Sequence, residues 1–151
     1  MTFNLTRRAA LKSTGAILCL SSLPTLAVAK VEDMQTTIKE LFGDRPISEA
    51  RVNLKVPPIA ENGYSVSVDV DVDSPMTSEN YVKRIVLLSD RNPIPLIASY
   101  TLSPRSGLAK VSGRVRLAGT QSLYAIAEMN DGSLYSGSTK TVVTVAACVI
   151  L

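Results

Sequence analysis

A single thiol near the C-terminus is the one group in this sequence whose type and position mark it for covalent chemistry. Of the two cysteines, Cys19 falls within an apolar N-terminal stretch that reads as a leader, which leaves Cys148 without a partner for an internal disulfide. An odd thiol in an exported protein points to pairing with another molecule or to a reactive group. The plain alternative is a buried cysteine acting as a small hydrophobe. Only Val149, Ile150 and Leu151 follow it, and chain ends are seldom buried unless docked, which favours the reactive reading. Only the thiolate attacks, and an ordinary thiol with a pKa near ~8.5 is ionised to a few per cent at neutral pH. No Lys or Arg stands between Thr141 and the end, so the tail alone is expected to react slowly. Activation is expected from positive groups or a metal in a partner's site. The ending Cys148-Val149-Ile150-Leu151 also matches the prenylation pattern, a cytosolic modification that export would preclude.

The remaining composition removes most catalytic classes. The chain has no histidine, so a Ser-His-Asp triad, a Cys-His pair and a His-bearing zinc site are excluded within it. Asp69, Asp71 and Asp73 form an acidic comb, but a calcium loop would need Gly where Ser74 stands and Glu where Asn80 stands. Alternate residues of a strand share one side, so a charged, solvated face is expected there and no metal site. Arg114 and Arg116 are read in the same way, as a polar face or an interface rim. From Lys30 onward thirteen basic residues balance thirteen acidic ones, leaving no basic field for nucleic acid or an anionic membrane. With no histidine, no nucleophile elbow and no metal cluster in the sequence, a stand-alone hydrolytic enzyme is not expected, and no residue is read as catalytic.

These groups must be positioned by an exported domain. Thr6-Arg7-Arg8-Ala9-Ala10-Leu11-Lys12 has the form of a twin-arginine signal. The uncharged stretch from Ser13 to Leu26 supplies its apolar region, and Ala27-Val28-Ala29 offers a cleavage site. The stretch is too short and too rich in Ser, Thr and Pro for a membrane span of about 20 residues. Residues 1–29 are therefore expected to direct the protein to the periplasm and be removed, leaving no membrane anchor. Residues 30–145 are expected to form one domain and residues 146–151 a tail.

Val31, Met34, Ile38 and Leu41 recur at spacings of three and four, which predicts a short helix ending at Gly43 and Pro46. The period then becomes two. Val52 to Val56 alternates until Pro57-Pro58, and Val66, Val68, Val70 and Val72 alternate with Ser65, Ser67, Asp69 and Asp71. Further strand-like runs lie at 82–88, 96–102, 108–117, 123–129 and 134–145, with Asn130-Asp131-Gly132-Ser133 as a hairpin turn. Seven strands without intervening helices predict an all-β, immunoglobulin-like antiparallel sandwich with a short N-terminal helix.

Three stretches carry a resemblance to a known family: Pro58-Ile59-Ala60-Glu61-Asn62-Gly63, Asp73-Ser74-Pro75-Met76 and Ala127-Glu128-Met129-Asn130-Asp131-Gly132-Ser133-Leu134. With the leader, the helix and the near-terminal cysteine, they resemble SoxY, the sulfur-carrier subunit of the periplasmic Sox thiosulfate-oxidising system. The resemblance implies a carrier that holds a sulfur intermediate covalently on Cys148, needs no cofactor, and pairs with a SoxZ-like subunit as a heterodimer. It also implies three visiting enzymes: a haem-containing thiosulfate-conjugating enzyme, a metal-dependent thiosulfohydrolase and a sulfane dehydrogenase. The family's tail typically reads Gly-Gly-Cys-Gly-Gly, whereas Ala146, Ala147, Val149, Ile150 and Leu151 surround Cys148 here. Gly permits backbone angles that Val and Ile resist. The rival expectation is therefore a structural or interaction module that has lost efficient turnover. Six extended residues reach about 20 Å, enough to cross a shallow partner channel.

Overall fold

The computed structural model describes residues 33–146. The leader with Arg7 and Arg8, and the tail residues Ala147, Cys148, Val149, Ile150 and Leu151, lie outside the described residues. Helix α1 (Met34–Phe42) forms where Met34, Ile38 and Leu41 make one apolar stripe. It stops at Gly43, whose φ of 67° favours glycine and whose N–H bonds the Lys39 carbonyl at 2.8 Å.

Nine strands follow among the described residues: β1 (Ile47–Glu49), β2 (Val52–Lys55), β3 (Ile59–Asn62), β4 (Val66–Val72), β5 (Val82–Ser89), β6 (Leu96–Thr101), β7 (Lys110–Val115), β8 (Gln121–Met129) and β9 (Leu134–Val145). One sheet has the order β1-β9-β8-β5-β6 with β3 also against β9, and the other has the order β2-β4-β7. The expected all-β sandwich with an N-terminal helix is the observed architecture. Two short strands join the seven expected, and both run parallel to β9: Ile47 lies opposite Leu134, and Ile59 opposite Val142.

The alternating valines of β4 are all buried, and they face Ile85 and Leu87 of β5 and Leu123, Ala125 and Ala127 of β8. Each such valine contributes roughly 1.5–3 kcal/mol by leaving water. Val86, Leu88 and Ile126 point the other way, where Phe42 and the stripe of α1 cover them. Because both faces of β5 are covered from Ile85 to Leu88, the sequence there is a continuous apolar run instead of an alternating one.

The segment from β1 to β3 is a strap that starts beside β9, crosses to the smaller sheet as β2, and returns to β9. The crossing requires glycine at position 137, because a β-carbon there would overlap the Val52 carbonyl. Gly137→Ala is expected to cost about 1–3 kcal/mol, the usual range for overpacking. A urea midpoint unchanged from the parent would contradict this.

Candidate functional site

The residue picked out for chemistry, Cys148, lies beyond the described residues, so the structure bears on how its root is held. Strand β8 begins at Gln121, opposite Thr141, and offers β9 no ladder partner past that point. There the strap takes over. Thr141 Oγ1 donates to the Pro57 carbonyl at 2.7 Å, and Val142 N–H donates to the Pro58 carbonyl at 2.9 Å. Residues 59–62 then pair with 142–145. Gly63 N–H donates to the Val145 carbonyl at 2.7 Å, while the Gly63 carbonyl accepts from Leu117 N–H at 2.8 Å. On the opposite edge, Thr120 Oγ1 accepts from Val143 N–H at 3.0 Å. Ala146, the first residue of the expected tail, is exposed and outside the strand.

Beside this root, Asp90, Arg91, Thr120, Gln121, Ser122 and Lys140 line an open cleft of about 440 Å³. Its floor is a hydrogen-bonded knot. Ser89 Oγ bonds Gln121 Oε1 and accepts from Asn92 N–H at 2.9 Å, and Asn92 Oδ1 accepts from Ala118 N–H at 2.9 Å and Gln121 Nε2 at 3.2 Å. Arg91 Nη1 donates to the Thr120 carbonyl at 3.2 Å. Nothing in the sequence periodicity signalled this knot, since its members come from two separate segments, the end of β5 with the loop after it and the loop before β8 with that strand's first residue.

The acidic comb has the charged outer face expected of it. Lys110 Nζ sits 3.1 Å from Asp71, Ser112 Oγ donates to Asp69, and Lys55 lies opposite Asp69 across the ladder. Among the described residues no group of three metal-ligating side chains gathers. Arg114 is exposed and donates to Ser65 Oγ at 3.3 Å; Arg116 is exposed too. Exposed apolar side chains cluster instead near the root, where Ile59 (67% exposed) and Val142 (46%) stand side by side in register.

The Ala127–Leu134 stretch serves structure. Glu128 holds Arg45 and Arg84, Asn130 receives Tyr81 N–H at 3.1 Å and donates to the Glu79 carbonyl at 2.9 Å, and Gly132 takes a φ of 86° in the hairpin. Asp131 accepts from Ser133 N–H and Oγ–H, bonds that hold its carboxyl below the ordinary range.

A family model described as "Sulfur oxidation protein SoxY" matches residues 38–148. The chain is similar, at 32% identity, to the solved sulfur carrier protein SoxY from Chlorobium limicola f thiosulfatophilum, with 75% of this chain and 97% of that one covered and a TM-score of 0.63. It also overlays on superoxide reductase (neelaredoxin) from Ignicoccus hospitalis, at 18% identity with 62% and 80% covered and a TM-score of 0.55. A putative superoxide reductase from Thermotoga maritima gives 20% identity, 76% and 92% covered, and a TM-score of 0.51. At those identities the likeness to the reductases is one of fold alone. No curated protein matches the chain.

Proposed function

Because the chain belongs to the SoxY family of sulfur-oxidation proteins, we propose that it is a covalent sulfur carrier serving separate enzymes, with Cys148 as the attachment point. The observation that carries this reading is the extent of the family match, which runs without a break to Cys148 itself. In the first step the thiol and thiosulfate would join through a new S–S bond, giving up one proton and two electrons, for which the haem-containing conjugating enzyme would supply the acceptor. Water then cleaves the terminal S–S bond, releasing sulfate and a proton and leaving a persulfide on Cys148. The sulfane dehydrogenase would oxidise that outer sulfur to a sulfonate with oxygen from water, passing the electrons to its own acceptor, and a second hydrolysis would release sulfate and return the thiol. A SoxZ-like subunit completes the carrier, and the twin-arginine leader, with Arg7 and Arg8, places the cycle in the periplasm.

A second reading, an interaction module without efficient turnover, draws on the tail, where Val149, Ile150 and Leu151 stand in place of glycines. Intact mass after incubation with thiosulfate and the conjugating enzyme separates the two. A carrier gains the thiosulfate adduct, whereas a module stays unmodified.

Because no Lys or Arg follows Lys140, Cys148 in the isolated subunit is expected to alkylate at about the rate of an unstructured model peptide. Addition of the conjugating enzyme should accelerate it. A fast thiol in the isolated subunit would show that activation comes from this chain's own residues.

A further inference from the structure

An unpaired strand end ordinarily frays, because each residue gives up conformational entropy with no ladder bond in return. Strand β9 runs past its antiparallel neighbour and is nevertheless fastened, on one edge as far as Val145 and on the other as far as Val143. The strap supplies Pro57, Pro58, β3 and Gly63 on one side, and the Thr120 hydroxyl supplies the other. Gly63 is bonded at both its N–H and its carbonyl, so one residue ties the end of β9 to the residue that follows β7 by two positions, Leu117 of the opposite layer.

We propose that the Pro58–Gly63 strap and Thr120 form a clamp that fixes the exit point of the carrier segment at Val145 and thereby sets the reach of the thiol. The inference rests on the reading that Cys148 carries the sulfur. From Val145 the thiol stands three residues away, a contour of about 10 Å. Were β9 released back to Thr141, the contour would rise to about 25 Å. Effective concentration at a partner's site falls roughly as the −3/2 power of tether length, so this release would lower it about three- to fourfold. Thr120 and Gly63 are thus positioning residues, acting on the thiol through β9.

The test measures distance and transfer separately. In a Cys19→Ser background, one nitroxide is attached at Cys148 and a second at Ser138→Cys, an exposed position on β9. Thr120→Val removes the hydroxyl that receives Val143 N–H, and Gly63→Pro removes the donor to Val145. Thr120→Val, a near-isosteric change, keeps the test alive if the proline variant fails to fold. The clamp predicts a broader and longer distance distribution in either variant. It also predicts slower thiosulfate conjugation by the partner enzyme in each variant, up to the three- to fourfold that full release to Thr141 would give, with the alkylation rate of Cys148 by a small reagent unchanged. Unaltered distances in the folded variants, or broadened distances with unaltered conjugation, would overturn it. An adduct that persists in Cys148→Ser would instead remove the carrier reading, while the distance measurement still decides whether the clamp exists.

Discussion

Replacing Cys148 with serine is expected to abolish the thiosulfate-dependent mass gain completely and to leave folding stability within about 0.5 kcal/mol of the parent. The chemical reason is that the adduct is an S–S bond. A serine hydroxyl is scarcely ionised at neutral pH, and an O–S ester formed in its place would be open to hydrolysis. A small stability cost is expected because serine is close in size to cysteine and the position lies three residues past the end of β9 in the sequence. Cys19→Ser is the control, and it should keep the full gain because that residue falls in the stretch read from the sequence as a leader. A gain retained in Cys148→Ser and lost in Cys19→Ser would reverse the assignment. The parent protein staying unmodified beside an active partner would favour the interaction module.

The parts of this fold that were legible in the sequence are those in which one face is buried and the other wet. Strand β4 is the clearest, since Val66, Val68, Val70 and Val72 are all buried while Ser67 is exposed and Asp69 and Asp71 stay half-exposed. The Asn130–Ser133 turn was legible for a different reason: Gly132 takes the positive φ that its type predicts. Strands β1 and β3 were not legible. Among their seven residues only Ala60 is buried, so neither has a period to read. They exist because β9 is twelve residues long and its outer edge needs partners, a fact about tertiary structure. Phe42 lay outside the expected helical stripe, yet it is the most buried residue of α1, because the stripe leans against β5 and β8 through the helix's last turn. Cys148 was picked out by its type and place in the sequence alone. The clamp at its root could not be, since Gly63, Thr120 and Val145 meet only once the strap has crossed the sandwich twice.

A large loss of stability is expected at Glu128. Its side chain is 11% exposed, and both oxygens are occupied: Oε1 by Arg45 Nη1 at 2.9 Å, and Oε2 by Arg84 Nη2 at 2.8 Å and Nε at 3.0 Å. The two arginines in turn satisfy the end of α1. Arg45 Nε donates to the Phe42 carbonyl at 2.9 Å, Arg84 Nη2 reaches the Leu41 carbonyl at 3.4 Å, and both guanidinium groups lie over the Phe42 ring. Breaking a fully buried ion pair costs about 3–5 kcal/mol. Arg45 and Arg84 are 39% and 27% exposed and recover some hydration, so Glu128→Ala is expected to cost about 2–4 kcal/mol. Burial alone would raise the Glu128 carboxyl, but the hydrogen bond from Arg45 and the charge of Arg84 outweigh it and hold the group below its ordinary 4.5. The native state therefore keeps the proton off while the unfolded chain takes it up. Stability from this group is fully present above pH 4.5 and is lost as pH falls through the lowered native value. Glu128→Gln cannot titrate, so its urea midpoint should fall less than the parent's between neutral pH and the acid side of that window. Equal losses in the two proteins would mean that the arginine pair does not hold the carboxylate ionised. Because the latch fastens α1 to the face of β5 and β8 and does not touch the root of the tail, the variant should still acquire the thiosulfate adduct wherever it is folded.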